Sequence, residues 1–255
     1  MTFKTRSMAV VGEAAGWLVK LLARLLLHVQ TEGLERIPAS GPVILAINHV
    51  NFIDAPLLYT IMPRHITGLV KAELWKNPVL GLVARAWGTI PIRRGELDLD
   101  AFRRALQVLH TGNLLGLAPE GTRSHHGSLR SGRPGAVMLA LRAPSTCIVP
   151  MAIYGHEHYA RYWRRLRRTP VHLSFGQPFR LKQPTEAVTH ATRQRMTDEI
   201  MWQIAALLPS QYRGVYADLH TATQESLDFP EETMSSLQQL LGQTVKGRAG
   251  AEAAG

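Results

Sequence analysis

The chain has 255 residues, 45% of them hydrophobic, which supports one large α/β domain with small appendages and speaks against wholesale disorder. Its single cysteine, Cys147, excludes an internal disulfide and fits a reducing compartment. With 29 Lys and Arg against 19 Asp and Glu the formal net charge is +10, which points to an anionic partner: nucleic acid, an acidic membrane surface or a phosphorylated substrate.

Lys4 and Arg6 precede an apolar segment, but Glu13 interrupts it and no small-residue cleavage site follows, so a signal peptide is not expected. From Trp17 to Val29 the run WLVKLLARLLLHV reads as one helix, with Lys20, Arg24 and His28 on a single stripe and Leu, Val and Trp over the rest. Those charges leave no unbroken apolar stretch of about 18 residues, which disfavours a transmembrane helix. A basic stripe on a helix that is otherwise apolar suits the bilayer interface; an ordinary core-packing helix is the competing reading.

After Gly33 strands and helices alternate. Val43–Ile47, Ile66–Val70, Thr89–Ile92, Leu114–Ala118, Thr146–Ile153 and Val171–Phe175 read as strands. Ala55–Ile61, Pro78–Trp87, Leu99–His110, Gly135–Leu141 and Ala191–Leu208 read as helices, with Thr233–Leu241 a further short one. Short apolar strands separated by helices imply an α/β fold, a largely parallel central sheet flanked by helices on both faces, preceded by an N-terminal amphipathic membrane-binding segment. The division expected is residues 1–32 as the interfacial segment, 33–217 as the main domain and 218–255 as a tail, its Gly/Ala-rich end from Lys246 to Gly255 disordered.

In such sheets ligands bind beyond the carboxyl ends of the strands. The first strand ends in Asn48-His49-Val50-Asn51-Phe52-Ile53-Asp54, followed by Pro56, which fits the first turn of a helix. A carboxylate five residues after His49 can fold back, fix the imidazole tautomer and stabilise the imidazolium that forms when it takes a proton. Alternatively Asp54 is only a helix cap and His49 a loop residue. Arg93 and Arg94 lie at another strand end, where one guanidinium can meet a phosphate. In Pro119-Glu120-Gly121-Thr122-Arg123-Ser124, Glu120 can accept a substrate hydroxyl, Gly121 permits close backbone approach, and Arg123 can bind phosphate; a structural Glu–Arg pair is the alternative. Lys71 adds a cation on the same edge.

The strand Ile148–Ile153 is core, or lines a slot for a hydrocarbon chain. Arg161-Tyr162-Trp163-Arg164-Arg165-Leu166-Arg167-Arg168 reads as a loop that meets anionic lipid, is merely solvated, or binds nucleic acid. His125-His126 and His156-Glu157-His158 lack a third partner at metal-ligand spacing, so no metal is expected. Cys147 sits in an apolar strand as an inert thiol, and no G-x-S-x-G elbow of an α/β-hydrolase occurs.

Taken in order, four blocks resemble the phospholipid/glycerol acyltransferase family, the 1-acyl-glycerol-3-phosphate acyltransferases in particular. They are the NHxxxxD stretch Asn48–Asp54, the stretch Gly88–Arg94, Pro119–Ser124, and Val149-Pro150. Lys71-Ala72-Glu73-Leu74 and Ser131–Ala136 are similar to the stretches between them, and the resemblance runs from Gly33 to Phe179. Arg93 departs from the acidic or neutral residue often found there. The resemblance implies that His49, oriented by Asp54, is the general base that deprotonates the acceptor's hydroxyl for attack on an acyl thioester. It also implies that Arg94, Glu120, Gly121, Thr122 and Arg123, helped by Lys71, hold a glycerol-phosphate lipid. No cofactor is implied, since acyl-CoA or acyl carrier protein is a co-substrate. Asn48 and the loop amides near Gly121 are the oxyanion-donor candidates. An anionic membrane surface, at its cytoplasmic face, is the expected partner, and nucleic acid is not. Other acceptors (glycerol 3-phosphate, a lysophospholipid, an acylated amino acid) and a non-catalytic lipid-binding role are the rivals.

Overall fold

A computed structural model of the chain describes residues 3–93, 95, 98–124 and 126–242. In chain order the elements are α1 (Phe3–Leu26), β1 (Leu27–Glu32), β2 (Val43–Ile47), α2 (Asp54–Ile61), β3 (Ile66–Lys71), α3 (Pro78–Ala86) and β4 (Ile90–Ile92). There follow α4 (Leu99–His110), β5 (Leu114–Leu117), α5 (Gly135–Arg142), β6 (Cys147–Tyr154), α6 (Tyr159–Trp163), β7 (Thr169–Phe175), β8 (Arg180–Leu181), α7 (His190–Ala206) and β9 (Leu227–Asp228). Local chemistry starts several helices: Asn77 caps α3 ahead of Pro78, Asp98 accepts from Ala101 N at 3.0 Å, and Thr189 accepts from Thr192 N at 3.1 Å.

Seven strands form one sheet in the order β1-β7-β6-β2-β5-β3-β4, with β8 and β9 paired separately. Every neighbouring pair in the large sheet is parallel except β6 and β7. Alternate residues of the central strands point to opposite faces. Ile44, Ala46, Leu115, Ile148 and Ala152 pack with α4, α5 and α7, while Val43, Leu45, Ile47, Leu114, Val149 and Met151 pack with α2 and the end of α1. Both faces are therefore covered, which is why the strands read as apolar runs without polar alternation. β6 is core on both faces from Ile148 to Ile153. Because β2, β5, β3 and β4 run parallel, their carboxyl ends share one edge, with β2 at the middle of the sheet.

Three stretches differ from the expected elements. The helix read through Val29 ends at Leu26, and residues 27–32 instead join the sheet edge beside β7, with Leu27 buried and Val29 half-buried. Here an available parallel partner outweighs the helical continuation of the Leu run, and His28 leaves the basic stripe. The arginine run is partly helical: α6 supplies its first three residues, and Arg168 Nε donates to Leu27 O at 2.8 Å. Residues after 217 pack onto the domain, with Leu219, Leu227 and Leu237 buried and residues 236–242 helical. The stretch 246–255 lies outside the described residues.

α1 is arranged in the opposite sense to a helix on a water-facing domain. Its half-buried side carries Gly12, Ala15, Gly16, Val19 and Ala23, while Trp17, Leu18, Leu21, Leu22 and Leu25 are exposed beside exposed Lys20 and Arg24. Gly12 brings the helix close to the end of α3: a Cβ there would stand 3.2 Å from Ala86 O, and Trp87 Nε1 donates to Gly12 O at 3.2 Å. Val79, Leu80 and Leu82 of α3 are exposed as well. Among the described residues no helix is long and apolar enough to cross a membrane.

Candidate functional site

β2 lies between β6 and β5, and the chain just beyond these three strand ends builds the site. After Ile47 the backbone turns through residues 48–53 into α2, bringing Asp54 back beneath His49. His49 Nδ1 and Asp54 Oδ2 are 2.7 Å apart, with the imidazole 13% exposed and the carboxylate 1%. Val50 N and Asn51 N also donate to Asp54 Oδ2, at 2.8 and 3.1 Å, and His156 Nε2 meets Oδ1 at 2.5 Å. Burial alone would raise the Asp54 pKa; the hydrogen bonds from His156 and His49 outweigh it and hold the carboxyl down at about 2. An ionised carboxylate only accepts, so His49 must present Nδ1–H to it and carry its lone pair on Nε2. That nitrogen faces Arg123, whose Nε lies 3.4 Å away.

The loop after β5 clamps the His49 backbone on both sides. Ser124 N donates to His49 O at 2.7 Å, and His49 N donates to Glu120 Oε1 at 3.2 Å. Arg130 N donates to Glu120 Oε2 at 2.9 Å. Gly121, at φ 69°, makes the turn between Glu120 and Arg123; a Cβ there would press on Arg133 Cδ at 3.1 Å.

The structure thus brings His49, Asp54, Glu120 and Arg123 together, with Gly121 and Thr122 in the connecting turn. Glu120 differs from its expected role: its carboxylate is 2% exposed and turned inward onto two backbone amides, so it holds the His49 loop instead of accepting a substrate hydroxyl. Asn48 is likewise committed, donating to Ile153 O at 2.8 Å and accepting from Ile153 N at 2.7 Å, which removes it as an oxyanion donor. Lys71 lies at the same sheet edge but is exposed and paired with Glu73 at 3.5 Å. Arg94 and His125 lie outside the described residues. His156 is the participant that sequence spacing missed, being 102 residues from Asp54. Among the described residues no group of three or more His, Cys, Asp or Glu side chains could hold a metal.

Burial pushes the Glu120 carboxyl up to about 7 from an ordinary 4.5, against the two amide donors that favour its ionised form. Between those values the unfolded chain is ionised while the folded one keeps the proton. The stability this group contributes is therefore complete below about 4.5 and declines as pH rises through 7. Glu120→Gln cannot titrate. Denaturation at a series of pH values should show the stability of the native chain falling relative to the variant by up to about 3 kcal/mol between pH 4 and 8. Parallel stability curves would contradict this assignment.

An imidazole steadied by a buried carboxylate, with its free nitrogen at the carboxyl edge of a parallel sheet beside a guanidinium, has the chemistry to accept a proton from a group held there. Residues 28–154 match the Acyltransferase family model. It is 36% identical over 138 residues to a lyso-ornithine lipid O-acyltransferase of Pseudomonas aeruginosa, covering 54% of this chain and 51% of that one. Over 132 residues it is 29% identical to a chloroplastic 1-acyl-sn-glycerol-3-phosphate acyltransferase of Arabidopsis thaliana, covering 50% and 36%. The chain thus spans about half, or less, of the length of these curated relatives. The crystal structure of the 1-acyl-sn-glycerophosphate acyltransferase PlsC from Thermotoga maritima superposes with a TM-score of 0.57 at 24% identity, over 78% of this chain and 80% of that one, and shares its fold.

Proposed function

We propose that the chain transfers a fatty acyl group from a thioester, acyl-CoA or acyl carrier protein, to the free hydroxyl of 1-acyl-glycerol 3-phosphate, giving phosphatidic acid. The observation that carries the reading is the 2.7 Å contact between His49 Nδ1 and Asp54 Oδ2, which leaves Nε2 as the only basic atom of the ring. His49 Nε2 takes the hydroxyl proton as the acceptor oxygen attacks the thioester carbonyl carbon. The tetrahedral oxyanion then collapses, the carbon–sulfur bond breaks, and the imidazolium returns the proton to the leaving thiolate. Asp54 stabilises the imidazolium in between. Arg123 attracts the acceptor's phosphate, and a phosphate that draws its guanidinium aside frees the Nε2 lone pair at the moment the acceptor is seated. Arg94 and Lys71 are further cations for the same headgroup.

A second reading takes a lyso-ornithine lipid as the acceptor, favoured by the 36% identity to the enzyme of that name. Either acceptor has one acyl chain and lies in a bilayer, and the outward apolar face of α1, flanked by Lys20 and Arg24, suits docking on an anionic membrane.

One experiment addresses both points: thiol release by the full chain on acidic vesicles carrying either acceptor. Turnover of 1-acyl-glycerol 3-phosphate is expected to exceed that of the ornithine lipid, and the reverse order would favour the second reading. Turnover of neither sinks both. Trp17→Glu with Leu21→Glu changes only exposed side chains, so the variant should keep its thermal stability while its vesicle-bound fraction falls several-fold. Unchanged binding would remove α1 as the anchor.

A further inference from the structure

The loop bearing His49 and Asp54 is stitched to the end of β6 at every third residue. Asn48 exchanges two hydrogen bonds with the Ile153 backbone, Asn51 Nδ2 donates to His156 O at 3.0 Å, and Asp54 Oδ1 meets His156 Nε2 at 2.5 Å. Gly155, at φ 95°, turns the chain out of β6 so that His156 points back toward Asp54; a Cβ at that position would stand 3.2 Å from Pro170 O. His156 is fully buried, and because Asp54 only accepts, its ring must donate through Nε2. Its Nδ1 is buried with no hydrogen-bond partner among the described residues. A buried imidazole with one nitrogen left unsatisfied is costly unless the other makes a bond that matters.

Three donors already converge on Asp54 Oδ2: His49 Nδ1, Val50 N and Asn51 N. The rotation of the carboxylate about its last bond is set by what holds the other oxygen. We infer that His156 is a positioning residue: it pins Asp54 Oδ1 from the β6 side so that Oδ2 addresses His49 Nδ1. The groups around this bond are Asp54 and His49 on the β2–α2 connection and Glu120 and Arg123 from the β5 loop. Of these, Asp54 is the one hydrogen-bonded to the His156 ring among the described residues. The inference rests on His49 acting as the base, and its test includes a measurement that does not depend on turnover.

His156→Gln keeps an N–H donor at nearly the same reach, whereas His156→Asn carries its amide too close to the backbone and His156→Leu has no donor. Turnover on vesicles should stay within about threefold of the native chain for Gln, and fall about tenfold or more for Asn and Leu with KM for donor and acceptor nearly unchanged. In proton NMR spectra of the intact chain, two imidazole N–H signals should stand downfield, one from His49 and one from His156. The His49 signal should persist in the Gln variant and move or broaden in the Asn variant. A folded Asn or Leu variant with native kcat overturns the inference, as does a native spectrum lacking the second signal. If the His49 signal responds to His156→Asn while no variant, nor the native chain, transfers an acyl group, positioning stands and the acyltransferase reading falls.

Discussion

His49→Ala should lower kcat/KM for acyl transfer by roughly 10²–10⁴, the worth of a positioned general base, with most of the loss in kcat. KM should change little, because the imidazole acts on the proton in flight and not on the resting substrates. The fold should survive. Asp54 keeps three donors, Val50 N, Asn51 N and His156 Nε2, so no buried carboxylate oxygen is stranded. The backbone bonds of residue 49 to Glu120 and Ser124 do not involve the ring. A stability loss of about 1 kcal/mol is expected, read from thermal melts alongside thiol release on vesicles. Lipid binding should persist. An alanine variant within a few-fold of native activity would overturn the assignment of the base, and equal, negligible activity of variant and native chain would favour a lipid-binding protein without catalysis.

Parts of this arrangement were legible because they are local. α4 occupies the same residues, Leu99–His110, that read as a helix in the sequence, and β2 ends where the polar cluster begins. His49 and Asp54 are five residues apart, so the turn between them is a matter of short-range geometry. What depends on neighbouring strands was not legible. His156 reaches Asp54 only because β6 lies beside β2, and the order of strands in a parallel sheet is not written in any one segment. Glu120 reads within Pro119–Ser124 as an acceptor for a substrate hydroxyl or as half of a Glu–Arg pair, and only tertiary burial turns it toward two amides. The helix-to-strand switch at Leu27 falls inside one Leu-rich run, where the partner β7 decides and periodicity does not. The outward apolar face of α1 could be anticipated as a composition but not as an orientation, since the side turned inward is fixed by contacts such as that of Gly12 with Ala86 and Trp87, 74 and 75 residues away.

Asp54→Asn separates stability from rate. The amide offers one oxygen and one NH₂ group where the site supplies donors to both positions. With the amide nitrogen toward Oδ2 it would oppose three N–H groups, so the oxygen should take that place and the NH₂ should face His156. His156 must then switch tautomer, placing a proton on the buried Nδ1 that has no acceptor among the described residues. Leaving that group unsatisfied costs about 1–3 kcal/mol. His49 keeps its tautomer but loses the anion beside its imidazolium, an effect of the size that shifts such equilibria by about 10–10³. The variant should therefore retain its fold, melt earlier, and turn over about 10–10³-fold more slowly. Adding His156→Gln gives the new amide an oxygen acceptor but leaves the glutamine NH₂ buried without one, so the double variant should regain only part of the lost stability while its rate stays low. Recovery of both together, or of neither, would mean that Asp54 does not act through the two histidines in the way its hydrogen bonds describe.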